Sequence, residues 1–124
     1  MEPDFEKMNG LVPVIVQDYL TKKVLMLAYL NKEAWELSLK TKEAHFFSRS
    51  RNCLWHKGDT SGHVQKIKEV LLDCDRDTVL FKVEQVGGAC CHDGYASCFY
   101  RALEGDEVKI VEEKIFDPER VYGR

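Results

Sequence analysis
The sequence predicts a β-rich α+β fold: one compact domain spanning residues 1–124, built of mostly antiparallel strands with one or two short helices. Three observations predict it. Short runs dense in Val, Ile and Leu recur along the chain, residues 78–86 alternate well between two faces, and a helix start signal stands out at Asn31. A chain of 124 residues buries roughly 65% of its unfolded surface, which suffices for a single core.

In order, residues 12–17 and 23–30 read as strands joined by a turn at Thr21-Lys22-Lys23. Asn31 is a good N-cap for a helix running to about Lys40, with Glu33 in its first turn and Trp35 and Leu39 on one face. Residues 43–51 read as a strand and residues 52–63 as a polar, Gly-containing loop. In residues 66–74, Val70, Leu72 and Cys74 share one face, opposite Leu71 and Asp73. Residues 78–86 set Val79, Phe81 and Val83 against Leu80, Lys82 and Glu84, and the acidic turn Asp75-Arg76-Asp77 makes these two strands a hairpin. Gly87-Gly88 ends the pattern, and residues 97–103 and 107–116 read as two further strands. No linker or internal repeat interrupts the chain.

Charge and composition exclude several roles. Eighteen Lys and Arg against 21 Asp and Glu give a net charge of -3, so no basic surplus exists to neutralise nucleic acid or an anionic membrane. The acidic N-terminus lacks the apolar core of a signal peptide, and the longest apolar run, residues 24–30, is too short to span a bilayer. The expected location is cytoplasmic. Five cysteines without a secretion signal argue for metal binding or catalysis over disulfides.

Three groups of residues can carry chemistry. Cys91 and Cys98 flank a Gly-punctuated turn and, with Cys74 from an earlier strand end, offer three thiolates. Thiolates suit Zn²⁺, and three protein ligands leave a fourth position for water. The spacing matches no zinc ribbon, so buried free cysteines remain the alternative. His92, beside a ligand, is a candidate general base, or else a structural histidine.

Asp73, Asp75 and Asp77 form the second group, projecting to one side of an extended strand, where a hard divalent cation would relieve their repulsion. A solvated hairpin turn is the alternative. An EF-hand is excluded because Thr78 stands where its loop needs Gly. Cys74 then faces away from Asp73 and Asp75, which hints at a strand end lying between two subunits.

The third group comprises Ser48, Arg49, Arg51, Trp55, Lys57, Thr60 and Ser61, with Gly58 and Gly62 among them. Its cations, hydroxyls and close-approach glycines suit phosphate groups, and Trp55 suits stacking on a base. The residues 57–62 lack the Gly-Lys-Ser/Thr ending of a P-loop. A charged edge strand and a packing Trp are the alternatives.

Together these segments strongly resemble the phosphoribosyl-AMP cyclohydrolase family. The resemblance rests on Met26-Leu27-Ala28-Tyr29-Leu30-Asn31, Ser48-Arg49-Ser50-Arg51, Leu54-Trp55-His56-Lys57-Gly58-Asp59-Thr60-Ser61-Gly62 and Val64-Gln65-Lys66. It continues through Asp73-Cys74-Asp75-Arg76-Asp77, Val83-Glu84-Gln85-Val86-Gly87-Gly88-Ala89-Cys90-Cys91-His92 and Ser97-Cys98-Phe99-Tyr100-Arg101, covering about residues 11–101. It implies hydrolysis of the N1–C6 bond of N1-(5-phosphoribosyl)-AMP, the third step of histidine biosynthesis. It also implies an intertwined homodimer using zinc and magnesium. By this resemblance Cys74 from one subunit and Cys91 and Cys98 from its partner hold zinc, Asp73, Asp75 and Asp77 hold Mg²⁺, and His92 assists proton transfer. The chain departs from the family pattern at Cys90, commonly Ala, which leaves a choice between Cys90 and Cys91 as ligand; Cys91 directly precedes His92, as in the family motif. Tyr95-Ala96 replaces an often basic pair, and Cys53 matches no family ligand.

Overall fold
A computed structural model of the chain describes residues 1–118. Its elements are β1 (Val12–Asp18), β2 (Val24–Leu30), α1 (Lys32–Thr41), β3 (His45–Ser48), β4 (Cys53–His56), β5 (Gln65–Leu72), β6 (Val79–Gln85), β7 (Arg101–Glu104) and β8 (Glu107–Ile110). This is a β-rich α+β domain with one short helix among the described residues.

The central sheet has the order β2-β1-β6-β5. The β1–β2 and β5–β6 pairs are antiparallel, as alternation and turns predict, but β1 and β6 join them in parallel. That parallel seam follows from side-chain burial. Val14 lies beside Val79 and Val16 beside Phe81, all four fully buried, so the two most apolar strand faces form one continuous floor. Val12, Val83, Leu30 and Phe46 complete the centre of the core, with Val70 and Leu72 of β5 packed on it.

Helix α1 starts where the sequence places it. Asn31 Oδ1 accepts the Ala34 N–H at 2.8 Å, and the left-handed Lys42 closes the other end by donating its N–H to the Ser38 carbonyl. The buried stripe is Ala34, Trp35 and Ser38, while Leu39 is 43% exposed, so Trp35 and Leu39 do not share the inward face.

The strands differ from expectation where turns intervene. The strand expected over residues 43–51 stops at Ser48, whose Oγ accepts the Arg51 N–H at 3.2 Å, and Asn52 at φ 52° reverses the chain. The expected loop over residues 52–63 therefore begins with β4, which pairs with β3 from Ser48↔Cys53 to His45↔His56. The strand expected over residues 97–103 forms only from Arg101, because the Cys98 N–H is committed to Leu25 O at 2.7 Å and Ser97 Oγ donates to Val24 O at 2.9 Å. The expected strand over residues 107–116 ends at Ile110. No helix among the described residues is long and apolar enough to cross a membrane.

Candidate active site
The turn of residues 49–52, strand β4 and the loop that follows it form one wall of an open cleft of about 700 Å³, a size suited to a small-molecule ligand. Ser48, Arg51, Trp55, Lys57, Thr60 and Ser61 line it, and His92 and Cys98 line it as well. Six of the seven residues read as phosphate- or base-binding thus meet two of those read as catalytic. Arg49 is the exception: its guanidinium lies 3.9 Å from the centre of the Tyr29 ring and does not line the cleft. Met26, Ser50, Leu54, His56 and Asp59 join the lining without having been singled out for function, although all lie inside the strings that carry the family resemblance.

The loop holds its shape through close backbone packing. Lys57 N–H donates to Ala44 O at 3.1 Å and Gly62 N–H to Gly58 O at 2.8 Å. Gly58 has φ 87°, and a Cβ there would lie 2.4 Å from Val64 N, so glycine is required on both counts. Beside the loop, His56 Nε2 bonds Glu43 Oε1 at 2.7 Å and its ring stacks on His45 at 4.5 Å.

The opposite wall is the irregular segment between β6 and β7. The Cys91 N–H donates to Tyr95 O at 3.1 Å and Gly94 N–H to Cys91 O at 2.9 Å, which turns the chain between the two cysteines. Cys98 is fixed by its bond to β2. Cys90 is buried, with Sγ 4.0 Å from Cys98 Sγ and 3.5 Å from Gln65 Nε2. Hydrogen bonding from Cys98, and then the Lys57 charge, hold the Cys90 thiol below its usual range against the effect of burial. The same shared bond, with burial, pushes Cys98 up, and burial pushes Cys91 up. Sulfurs crowded this way resist ionising together without a cation among them.

His92 is largely exposed, with Nε2 3.4 Å from Asp93 Oδ1. The Tyr100 hydroxyl donates to Asp93 Oδ2 at 2.7 Å and, as the main cause, holds that carboxyl below the usual range.

The carboxylate trio forms by a different route from the one expected. Asp73, Asp75 and Asp77 lie in the β5–β6 turn, beyond the end of β5 at Leu72, so strand alternation does not align them. Instead Arg76 adopts φ 64°, and Asp73 Oδ1 accepts the N–H groups of Asp77 at 2.9 Å and Thr78 at 3.2 Å. One carboxylate oxygen from each Asp then lies within 4.8 Å of the others, a group able to hold a metal ion. The hydrogen bond shared with Asp73, then burial and Asp75, raises the Asp77 pKa; bonds from Asp77 and Thr78 outweigh burial and lower that of Asp73. Lys7 already brings an ammonium to 3.4 Å from Asp75 and 3.5 Å from Asp77. The oxygen donors fit a hard divalent cation.

Cys74 is exposed on the same turn. Among the described residues it forms no ligand cluster with Cys91 and Cys98 within one chain. Thiol donors of this kind suit a soft or borderline ion such as Zn²⁺.

A polar, hydroxyl-rich cleft with a histidine and a thiol on one wall, carried on a small β-rich domain, has the build of an enzyme acting on a small molecule. Comparison with known proteins specifies which. The family model for phosphoribosyl-AMP cyclohydrolase matches residues 26–100. The chain is 62% identical over 120 residues to the phosphoribosyl-AMP cyclohydrolase of Nitratidesulfovibrio vulgaris strain DP4, covering 97% of this chain and 95% of the relative. It is 57% identical over 124 residues to that of Desulfatibacillum aliphaticivorans, covering 100% and 99%. With that of Methanocella arvoryzae the identity is 58% over 122 residues, covering 98% of each. The chain belongs to the phosphoribosyl-AMP cyclohydrolase family.

Proposed function
We propose that this enzyme opens the adenine ring of N1-(5-phosphoribosyl)-AMP by hydrolysing the N1–C6 bond, the third step of histidine biosynthesis, in the cytoplasm. The observation that carries this reading is the cleft itself, which joins an anion-binding wall to a wall bearing His92 and Cys98. The substrate is a purine with two phosphate-bearing ribosyl arms, so it needs both cationic, hydroxyl-lined surface and an aromatic contact. Arg51, Thr60 and Ser61 supply the first and Trp55 the second.

Alkylation at N1 leaves the purine positively charged and C6 electrophilic. Zinc held by Cys74, Cys91 and Cys98 would supply the acidity that makes a water nucleophilic at neutral pH. His92 takes the proton of the attacking water and returns it to N1 as the ring opens. Asp93, tethered by Tyr100, keeps the imidazole turned toward the cleft. Magnesium at Asp73, Asp75 and Asp77 would neutralise a substrate phosphate. The active unit is a homodimer in which Cys74 completes the partner's zinc set. Exposure of Cys74 supports this, as do the apolar Leu103, Val108 and Ile110 left uncovered on β7 and β8.

Product mass tests the reaction. Incubation with phosphoribosyl-AMP is expected to give a product heavier by one water that retains the exocyclic nitrogen; loss of ammonia would mark a deaminase instead. For the acidic turn, Asp75→Asn is expected to raise the Mg²⁺ concentration for half-maximal activity by roughly tenfold with zinc content unchanged. An unaltered Mg²⁺ titration contradicts the assignment of the trio.

A further inference from the structure
Lys57 stands in the anion-binding group, but its ammonium is engaged elsewhere. Nζ donates to the Cys90 carbonyl at 2.5 Å, across 33 positions of sequence. That carbonyl belongs to the peptide linking Cys90 to Cys91, whose N–H in turn donates to Tyr95 O at 3.1 Å. Both polar atoms of this peptide are therefore fixed, and with them the direction in which Cys91 leaves the backbone. The strut is rigid at its other end. The Lys57 N–H is anchored on Ala44 O, the next residue is the tightly packed Gly58, and Nζ lies 5.8 Å from the centre of the Trp55 ring.

We propose that Lys57 is a positioning residue for the cysteine–histidine segment, fixing the Cys90–Cys91 peptide, rather than a ligand of the substrate's phosphates. This rests on the reading of Cys91, Cys98 and His92 as the metal- and proton-handling wall.

The two roles predict opposite kinetics. In Lys57→Met, which keeps most of the side chain's length and removes the charge, kcat for phosphoribosyl-AMP ring opening is expected to fall about 10–100-fold with KM within about threefold of wild type. Zinc affinity, measured by competition with a chromogenic chelator, is expected to weaken about 10–100-fold, the usual cost of losing an outer partner of a metal ligand. Lys57→Arg, which keeps a charged donor, is expected to recover most of the zinc affinity. A rise of tenfold or more in KM, with kcat and zinc affinity unchanged, overturns the proposal and returns Lys57 to the phosphate. Unchanged behaviour in all three measurements overturns it equally. If the Met variant does not fold, Lys57→Ala, which also removes the donor, is expected to show the same split. Wild-type protein that neither binds zinc nor opens the ring defeats the functional reading itself, whereas a pure KM effect defeats only the role given to Lys57.

Discussion
Cys98→Ser is expected to reduce bound zinc from about one ion per chain to a trace and to lower ring opening by at least about 10³-fold, because the nucleophile at neutral pH depends on the metal. The segment that carries Cys98 is held by backbone and Ser97 hydrogen bonds to β2, none of which involves the thiol. Loss of zinc in this variant therefore reports ligation and not misfolding. Cys53 supplies the control: it is exposed on β4, and Cys53→Ser is expected to leave zinc and turnover unchanged. The neighbouring pair separates in the same way. Cys90→Ala is expected to retain zinc and Cys91→Ala to lose it. The reverse result would exchange the ligand, and the 4.0 Å approach of Cys90 to Cys98 shows why that comparison is informative. Zinc-independent turnover in Cys98→Ser contradicts the assignment.

His92→Ala is expected to keep its zinc while kcat falls roughly 10²–10⁴-fold, the contribution of a positioned general acid–base group. His92 makes no contribution to the core, since it is 79% exposed, so stability should be preserved. Substrate binding should change little, because the cations and hydroxyls of the opposite wall remain in place. Turnover close to wild type would remove His92 from the mechanism and leave the metal wall to act with solvent protons alone.

Much of this architecture is legible in the sequence because burial imposes a period. Val79, Phe81 and Val83 fall on every second position of one strand and all are fully buried, and Asn31 caps the helix it announces. The same logic does not reach β4, whose four residues sit inside a polar stretch and owe their extended form to pairing with β3. Nor can periodicity reveal the parallel seam between β1 and β6, because alternation fixes which face a residue takes and not the direction of its neighbour. The carboxylate trio is instructive. Its three carboxylates do come together, but through a left-handed Arg76 and two bonds to Asp73, a turn geometry that residue spacing does not encode.

For the site, residue type is the readable part. Hydroxyls, cations and an aromatic in residues 48–61 point to an anionic, ring-bearing ligand, and the cleft gathers six of the seven. The diversion of Arg49 to Tyr29 and of Lys57 to Cys90 depends on contacts between segments 20 and 33 positions apart, which only the folded chain displays.

The most direct test of the central claim is an ultraviolet assay of ring opening on phosphoribosyl-AMP before and after zinc removal. Treatment with a zinc chelator, followed by desalting into Mg²⁺-containing buffer, is expected to abolish the absorbance change, and one equivalent of Zn²⁺ per chain is expected to restore it. Full ring opening by demonstrably zinc-free protein would contradict the account.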